Sequence, residues 1–267
     1  MLFGRFMKLL PTLIFGFQLL NPQIQEAPKF QVSQELSKSQ IESKIQKDYG
    51  LDTLKNLNFE VLPDDKSLGV LGIYSPWSDS LKINYYGIIR SSQRNNFSAD
   101  SILARTMRHE LAHYRVDKMQ EKLGLESKME NKDSRNLIEA YLGLLQFSEQ
   151  EQGLSKELFQ SLIDNKCEDL TNILIDRIIN EGIAKYYENP NFKPAFTVWP
   201  ISIKNIKNSD EYNMHVYDVG WNLMRPIISA YGDKGIEHVL NNMPKYKDFS
   251  DLEGYQKMVL EELAEKK

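Results

Sequence analysis

The sequence predicts an α+β fold, with a small N-terminal β-sheet packed on a long helix and a mainly helical C-terminal lobe after it. Three observations carry that expectation. The runs NFEVLP (58–63), GVLGIYSP (69–76) and LKINYY (81–86) are short, rich in β-branched and aromatic residues, and separated by the turn formers Asp64-Asp65 and PWSDS. From Ser98 onward apolar residues recur at helical spacing instead. The chain is 267 residues long, 41% hydrophobic and 26% charged, which suits a globular protein with a sizeable core.

Residues 1–27 read as a signal peptide or an uncleaved anchor: MLFGRFMK is basic, LLPTLIFGFQLL (9–20) is mostly apolar, and NPQIQEAPK turns polar. The apolar stretch is shorter than the roughly 20 residues of a full span, and Ala27 makes a poor cleavage site with Gln25 before it and Pro28 after it. The expected location is therefore outside the cytoplasm, periplasmic or extracellular, with a possible membrane tether. Residues 28–57 follow as a polar tether and a helix marked by Leu36, Ile41, Ile45 and Tyr49 and closed by Gly50. The three strand runs come next, with a hairpin expected over 69–86.

Ser98 suits the N-cap of the next helix and Asp100 its first turn, and Leu103, Met107, Leu111 and Tyr114 form an apolar stripe running to about Leu123. Helices are expected over 134–148, 154–164 and 167–188, the last opening at Asn165 and Glu168 with a capping box. Residues 189–212, with Pro190, Pro194 and Pro200, read as a long loop. Helices return at 213–231, where Pro226 predicts a kink, then at 234–242 and 250–265.

The formal net charge of −4 gives no basic surface of the kind nucleic acid requires. Cys167 is the one cysteine, so no intrachain disulfide forms, which is compatible with export. The sequence is silent on oligomeric state.

The chemistry concentrates in RTMRHELAHYRVD (105–117), which holds two of the four histidines in the chain. At 100° per residue, with Leu103 at zero, the apolar stripe covers roughly 0–80°, His109 and His113 fall at about 240° and 280°, and Glu110 at about 340°. Both imidazoles therefore reach toward one point, as a tetrahedral zinc site needs, while Glu110 stands beside it where a general base belongs. The string His109-Glu110-Leu111-Ala112-His113 is the HExxH pattern, here on an amphipathic helix. A pair of surface histidines beside an acid would read the same way. Catalytic zinc takes three protein ligands. Position 119, where a third histidine would stand in one arrangement, is Met119. Glu181 is the candidate instead, because it shares the helix face of Leu170, Leu174 and Ile178, and a carboxylate on a buried face requires a cationic partner. Arg177 on the same helix is the alternative partner. Gly182 next to it costs about 1 kcal/mol of helix propensity, which makes sense where another backbone approaches closely.

HExxH followed by Asn180-Glu181-Gly182-Ile183-Ala184 resembles the gluzincin zinc metallopeptidases, the thermolysin-like clan. That resemblance implies one catalytic zinc ion held by His109, His113 and Glu181, Glu110 as general base, and a polypeptide substrate. It further implies a zincin-like domain over 58–267, with sheet and HExxH helix at 58–123, a helical insertion at 124–166, and the third-ligand helix and helical lobe at 167–267. VYDVGWNL (216–223) resembles the Tyr-x-x-Gly segment of the aminopeptidase branch and makes Tyr217 the candidate to stabilise the tetrahedral intermediate, with His215 as the alternative donor. Asp117 or Asp176 is implied as the partner that orients a ligand imidazole, and GVLGIYSP as an edge strand that binds extended peptide. No Gly-x-Met-Glu-Asn segment is present, which points to endopeptidase rather than exopeptidase action. An exported protein that binds zinc without turnover remains the alternative. An intramembrane protease would need an apolar span around the motif, and Arg105, Arg108 and Arg115 stand there instead.

Overall fold

The computed structural model describes residues 37–54, 56–63, 70–125, 132–148, 154–194, 206 and 209–266. It is a mixed α+β protein with a small three-stranded sheet and mostly helical content. The N-terminal signal or anchor segment and the tether up to Leu36 lie outside the described residues, as do the Asp64-Asp65 turn and most of the 189–212 segment. No helix among the described residues is long and apolar enough to cross a membrane. The chain divides into two compact units, Met1–Asp117 and Lys118–Lys267.

In the first unit, helix α1 (Lys38–Asp48) starts with a capping box in which Ser37 and Gln40 satisfy each other's backbone N–H groups, and it buries Ile41 and Ile45. Strands β1 (Asn58–Val61), β2 (Gly72–Ser75) and β3 (Ser80–Ile83) form a sheet of order β1-β3-β2. β2 and β3 make the expected antiparallel hairpin, whereas β1 lies parallel to β3. Helix α1 packs on β1, and the Glu42 carboxylate accepts the Val61 N–H at 2.9 Å, so a side chain occupies a donor that β1 would otherwise leave exposed. β2 is the opposite edge of the sheet.

The third strand ends earlier than its sequence suggests. Tyr85 and Tyr86, with their β-propensity, begin helix α2 (Tyr85–Asn95) instead. Asn84 overrides them: buried completely, its side chain accepts the Gly87 N–H at 2.8 Å as an N-cap and donates to the Val70 carbonyl at 2.8 Å. Helix α3 (Ala99–Leu123) then begins as expected, with the Ser98 hydroxyl accepting the Ser101 N–H at 3.1 Å. The expected stripe of Leu103, Met107, Leu111 and Tyr114 is buried, but so are Ala104, Ala112 and Val116 on other faces, which makes α3 a central rather than a surface helix.

The second unit is helical. Helix α4 (Lys132–Ser148) packs along α5 (Leu154–Glu188), which has non-helical backbone at Lys166 and so corresponds to the two helices expected there. The capping box expected at this junction is replaced: the Asn165 amide reaches back to the Ser161 carbonyl at 2.7 Å. Past the break, α5 buries residues on all sides, including Leu170, Ile173, Leu174, Ile175, Ile178, Ile179 and Ile183.

Helix α6 (Ser209–Met214) opens inside the stretch expected to be a loop, and a wider π-turn (His215–Val219) joins it to α7 (Gly220–Tyr231). Helices α8 (Asp233–Asn241) and α9 (Leu252–Glu265) complete the unit. Pro226 lies within α7 and lacks the N–H that the Asn222 carbonyl would accept. The Gln256 amide on α9 donates instead to the Asn222 and Leu223 carbonyls, both at 2.7 Å. Gln256→Ala is therefore expected to cost about 1–3 kcal/mol and to lower Tm by about 3–8 °C in a thermal melt. In a Pro226→Ala background the loss should shrink, because the substitution restores a backbone donor to the Asn222 carbonyl; an unchanged loss would show that Gln256 acts through something else.

Candidate metal centre

In the first unit, α3 presents His109, Glu110 and His113 within little more than one turn. His109 is half-buried, while Glu110 and His113 are buried, at 3% and 8% exposure. The imidazole rings lie edge to face with centroids 6.0 Å apart, as the i, i+4 spacing requires.

Strand β2 runs against this face of the helix. A Cβ added at Gly72 would fall 2.1 Å from Glu110 Oε1 and 2.7 Å from its Cγ, so the Glu110 side chain fills the space that Gly72 leaves. Two residues on, Tyr74 donates to Asp117 Oδ2 at 2.7 Å and lies 3.0 Å from Asp79 Oδ1, and its ring meets Tyr114 edge to face. Burial first, and then the Asp117 and Asp79 charges, push the Tyr74 phenol well above its usual range, which keeps it a protonated donor. Gly72 and Tyr74 share the inward face of β2. The Asn84 N–H donates to the Leu71 carbonyl at 2.9 Å, and antiparallel alternation then turns the Gly72 and Tyr74 backbone groups away from β3, toward the outer edge.

In the second unit, Glu181 on α5 is completely buried, on the same face as Leu170, Leu174 and Ile178 as its spacing predicts. Arg177, one turn earlier, is also buried and has its guanidinium 5.0 Å from the Tyr212 ring centroid. Gly182 shows why glycine stands mid-helix: a Cβ there would fall 2.1 Å from the Gly220 carbonyl oxygen, and one on Gly220 would fall 2.2 Å from the Ile178 carbonyl oxygen. The two helices touch backbone to backbone at this point. Gly220 belongs to the Tyr-x-x-Gly segment, so the contact ties the turn bearing Tyr217 to the turn bearing Glu181. Tyr217 sits half-buried in the π-turn, with the Lys185 ammonium 5.8 Å from its ring centroid. The backbone of His215 opens the same turn, and its side chain lies outside the described residues. Asp176 is buried at 1% exposure.

Among the described residues, His109, His113 and Glu181 form a group that can hold a metal ion, each offering one ligand atom within 4.8 Å of the others. Two imidazoles and a carboxylate are the donor set of a three-ligand catalytic zinc site, which leaves a fourth position for water. Asp79, Asp117 and Glu121 form a second group of donors, but Glu121 is exposed and Asp117 is engaged by Tyr74.

Sequence reasoning assigned no role to Gly72 or Tyr74. A signal for Gly72 was present, since an isolated glycine inside a strand marks close approach by another group. Tyr74 carried none, because its partner Asp117 is its neighbour only in the fold. Compared with protein-family models, curated proteins and solved structures, the chain has no match.

Proposed function

We propose that this chain is a zinc-dependent peptidase of the gluzincin type, with His109, His113 and Glu181 as metal ligands and Glu110 as general base. The observation that carries the reading is the grouping of those three donor side chains, two from the HExxH helix and one from the Glu-Gly-x-Ala helix. The small sheet beside the HExxH helix is consistent with a zincin-like domain.

A zinc ion bound there supplies a Lewis acid that lowers the pKa of water toward about 7 and polarises a carbonyl. Glu110, held in a largely dry position beside the ligands, takes the proton of the attacking water and hands it to the leaving nitrogen. Tyr217, or His215, donates a hydrogen bond to the oxygen on which negative charge develops, a role worth about 3–4 kcal/mol of barrier. The Gly220–Gly182 contact fixes the turn that carries both residues against the helix that carries Glu181. Asp117, anchored by Tyr74, is the candidate to orient a ligand imidazole. β2 is an outer strand of the sheet, and an extended peptide added along it suits cleavage within a chain.

Metal analysis of the purified protein, followed by digestion of a peptide library, tests the reading. One zinc per chain and hydrolysis that a chelator removes and zinc restores are expected, with His113→Ala losing both metal and activity. Stoichiometric zinc without cleavage would leave a binding protein, and a chain that takes up no zinc would reject the assignment.

A further inference from the structure

Gly72 touches Glu110 along most of its side chain, and the consequence goes beyond packing. We infer that Gly72 is a positioning residue for the general base, its missing side chain defining where the Glu110 carboxylate rests; this depends on the peptidase reading above. The three nearest atoms to a Cβ at Gly72 are Glu110 Oε1 at 2.1 Å, Cδ at 2.3 Å and Cγ at 2.7 Å, so the whole side chain beyond its own Cβ would be displaced.

Either the strand or the side chain must yield to a methyl group. The strand is fastened on both sides of Gly72. Upstream, the Asn84 N–H and side-chain amide donate to the Leu71 and Val70 carbonyls at 2.9 and 2.8 Å. Downstream, Tyr74 is bonded to Asp117 at 2.7 Å. The backbone of α3 is equally fixed within its helix. The adjustable torsions belong to Glu110, so the carboxylate moves and the fold largely remains. Loss of catalytic geometry should therefore exceed loss of stability, and a contact that merely fills space would show the opposite pattern.

The experiment combines kinetics with a stability cycle. Gly72→Ala should keep its zinc and its KM to within about threefold while kcat falls by about 100-fold, the size of effect a misplacement of about 1 Å produces. Its Tm should fall by about 2–6 °C in the wild-type background. In a Glu110→Ala background the same substitution should leave Tm unchanged, because the three atoms it strikes are gone. A kcat within about threefold of wild type, or an equal Tm loss in both backgrounds, overturns the inference. A wild-type chain that cleaves no peptide overturns the peptidase reading and the kinetic consequence with it, while the Tm cycle still decides the steric contact.

Discussion

Under the proposed peptidase mechanism, Glu110→Gln is expected to lower kcat by about 10²–10⁴-fold while zinc remains bound, the range general acid–base catalysis contributes. The substitution is close to isosteric. The amide fills the same space against Gly72, where the carboxylate oxygen would lie 2.1 Å from an added Cβ, so packing is preserved. What disappears is the ability to accept and return a proton. Glu110 is only 3% exposed, so bulk water cannot readily substitute for it at that position. Its neighbours on α3 supply the imidazoles, and their i, i+4 geometry does not depend on the residue between them. Zinc content and kcat should therefore separate in this variant, whereas in His113→Ala they fall together. Metal analysis alongside steady-state kinetics makes the comparison, and full turnover by Glu110→Gln would remove the carboxylate from the mechanism.

The largest stability effect is expected at the helix crossing in the second unit. Gly182→Ala should destabilise the protein by about 3 kcal/mol or more, despite the gain of about 1 kcal/mol that alanine brings to an unconstrained helix position. The atoms a Cβ would meet are the Gly220 carbonyl oxygen, carbonyl carbon and Cα, at 2.1, 2.3 and 2.7 Å. All three are backbone, so no rotamer change relieves the clash, and α7 must move away from α5. Glu181 and Tyr217 stand on the turns this contact joins, and the proposed zinc affinity should weaken with stability. Gly220→Ala should behave similarly, and the two should add less than fully because they disturb one contact. Gly143→Ala is the control: it lies in α4 with nothing within 4 Å of an added Cβ, and should be neutral or stabilising. Denaturant unfolding of the three variants decides the matter, and equal effects at positions 143 and 182 would refute the crossing.

These two cases differ in how much the sequence disclosed. At Gly182 a helix-breaking residue inside a strong apolar pattern predicted close approach by another backbone, though not which backbone. The identity of the partner, Gly220, could not be read, because a close helix crossing depends on the rotation and register of two helices far apart in the chain. At Gly72 the strand was legible from its composition and its isolated glycine marked close approach, but that the approaching group is Glu110 emerged only from the fold.

Local pattern also failed where a buried side chain outweighed propensity. Tyr85 and Tyr86 favour a strand, but Asn84, bonded to both Gly87 and Val70, caps a helix there. Pro226 predicted a kink, and only the fold showed that Gln256 supplies the donor the proline lacks.

By itself the sequence determined the α+β class, the helix that carries His109, Glu110 and His113 on adjoining faces, and the buried face that includes Glu181. Each of these follows from the fixed period of a helix or strand, which converts spacing directly into direction. The tertiary structure alone decided the order β1-β3-β2, the seating of Glu110 on Gly72, the crossing at Gly182 and Gly220, and the grouping of three donors from two separate helices. Those depend on how elements meet, and contacts between distant segments are selected by the packing of the whole core rather than by any local run of residues.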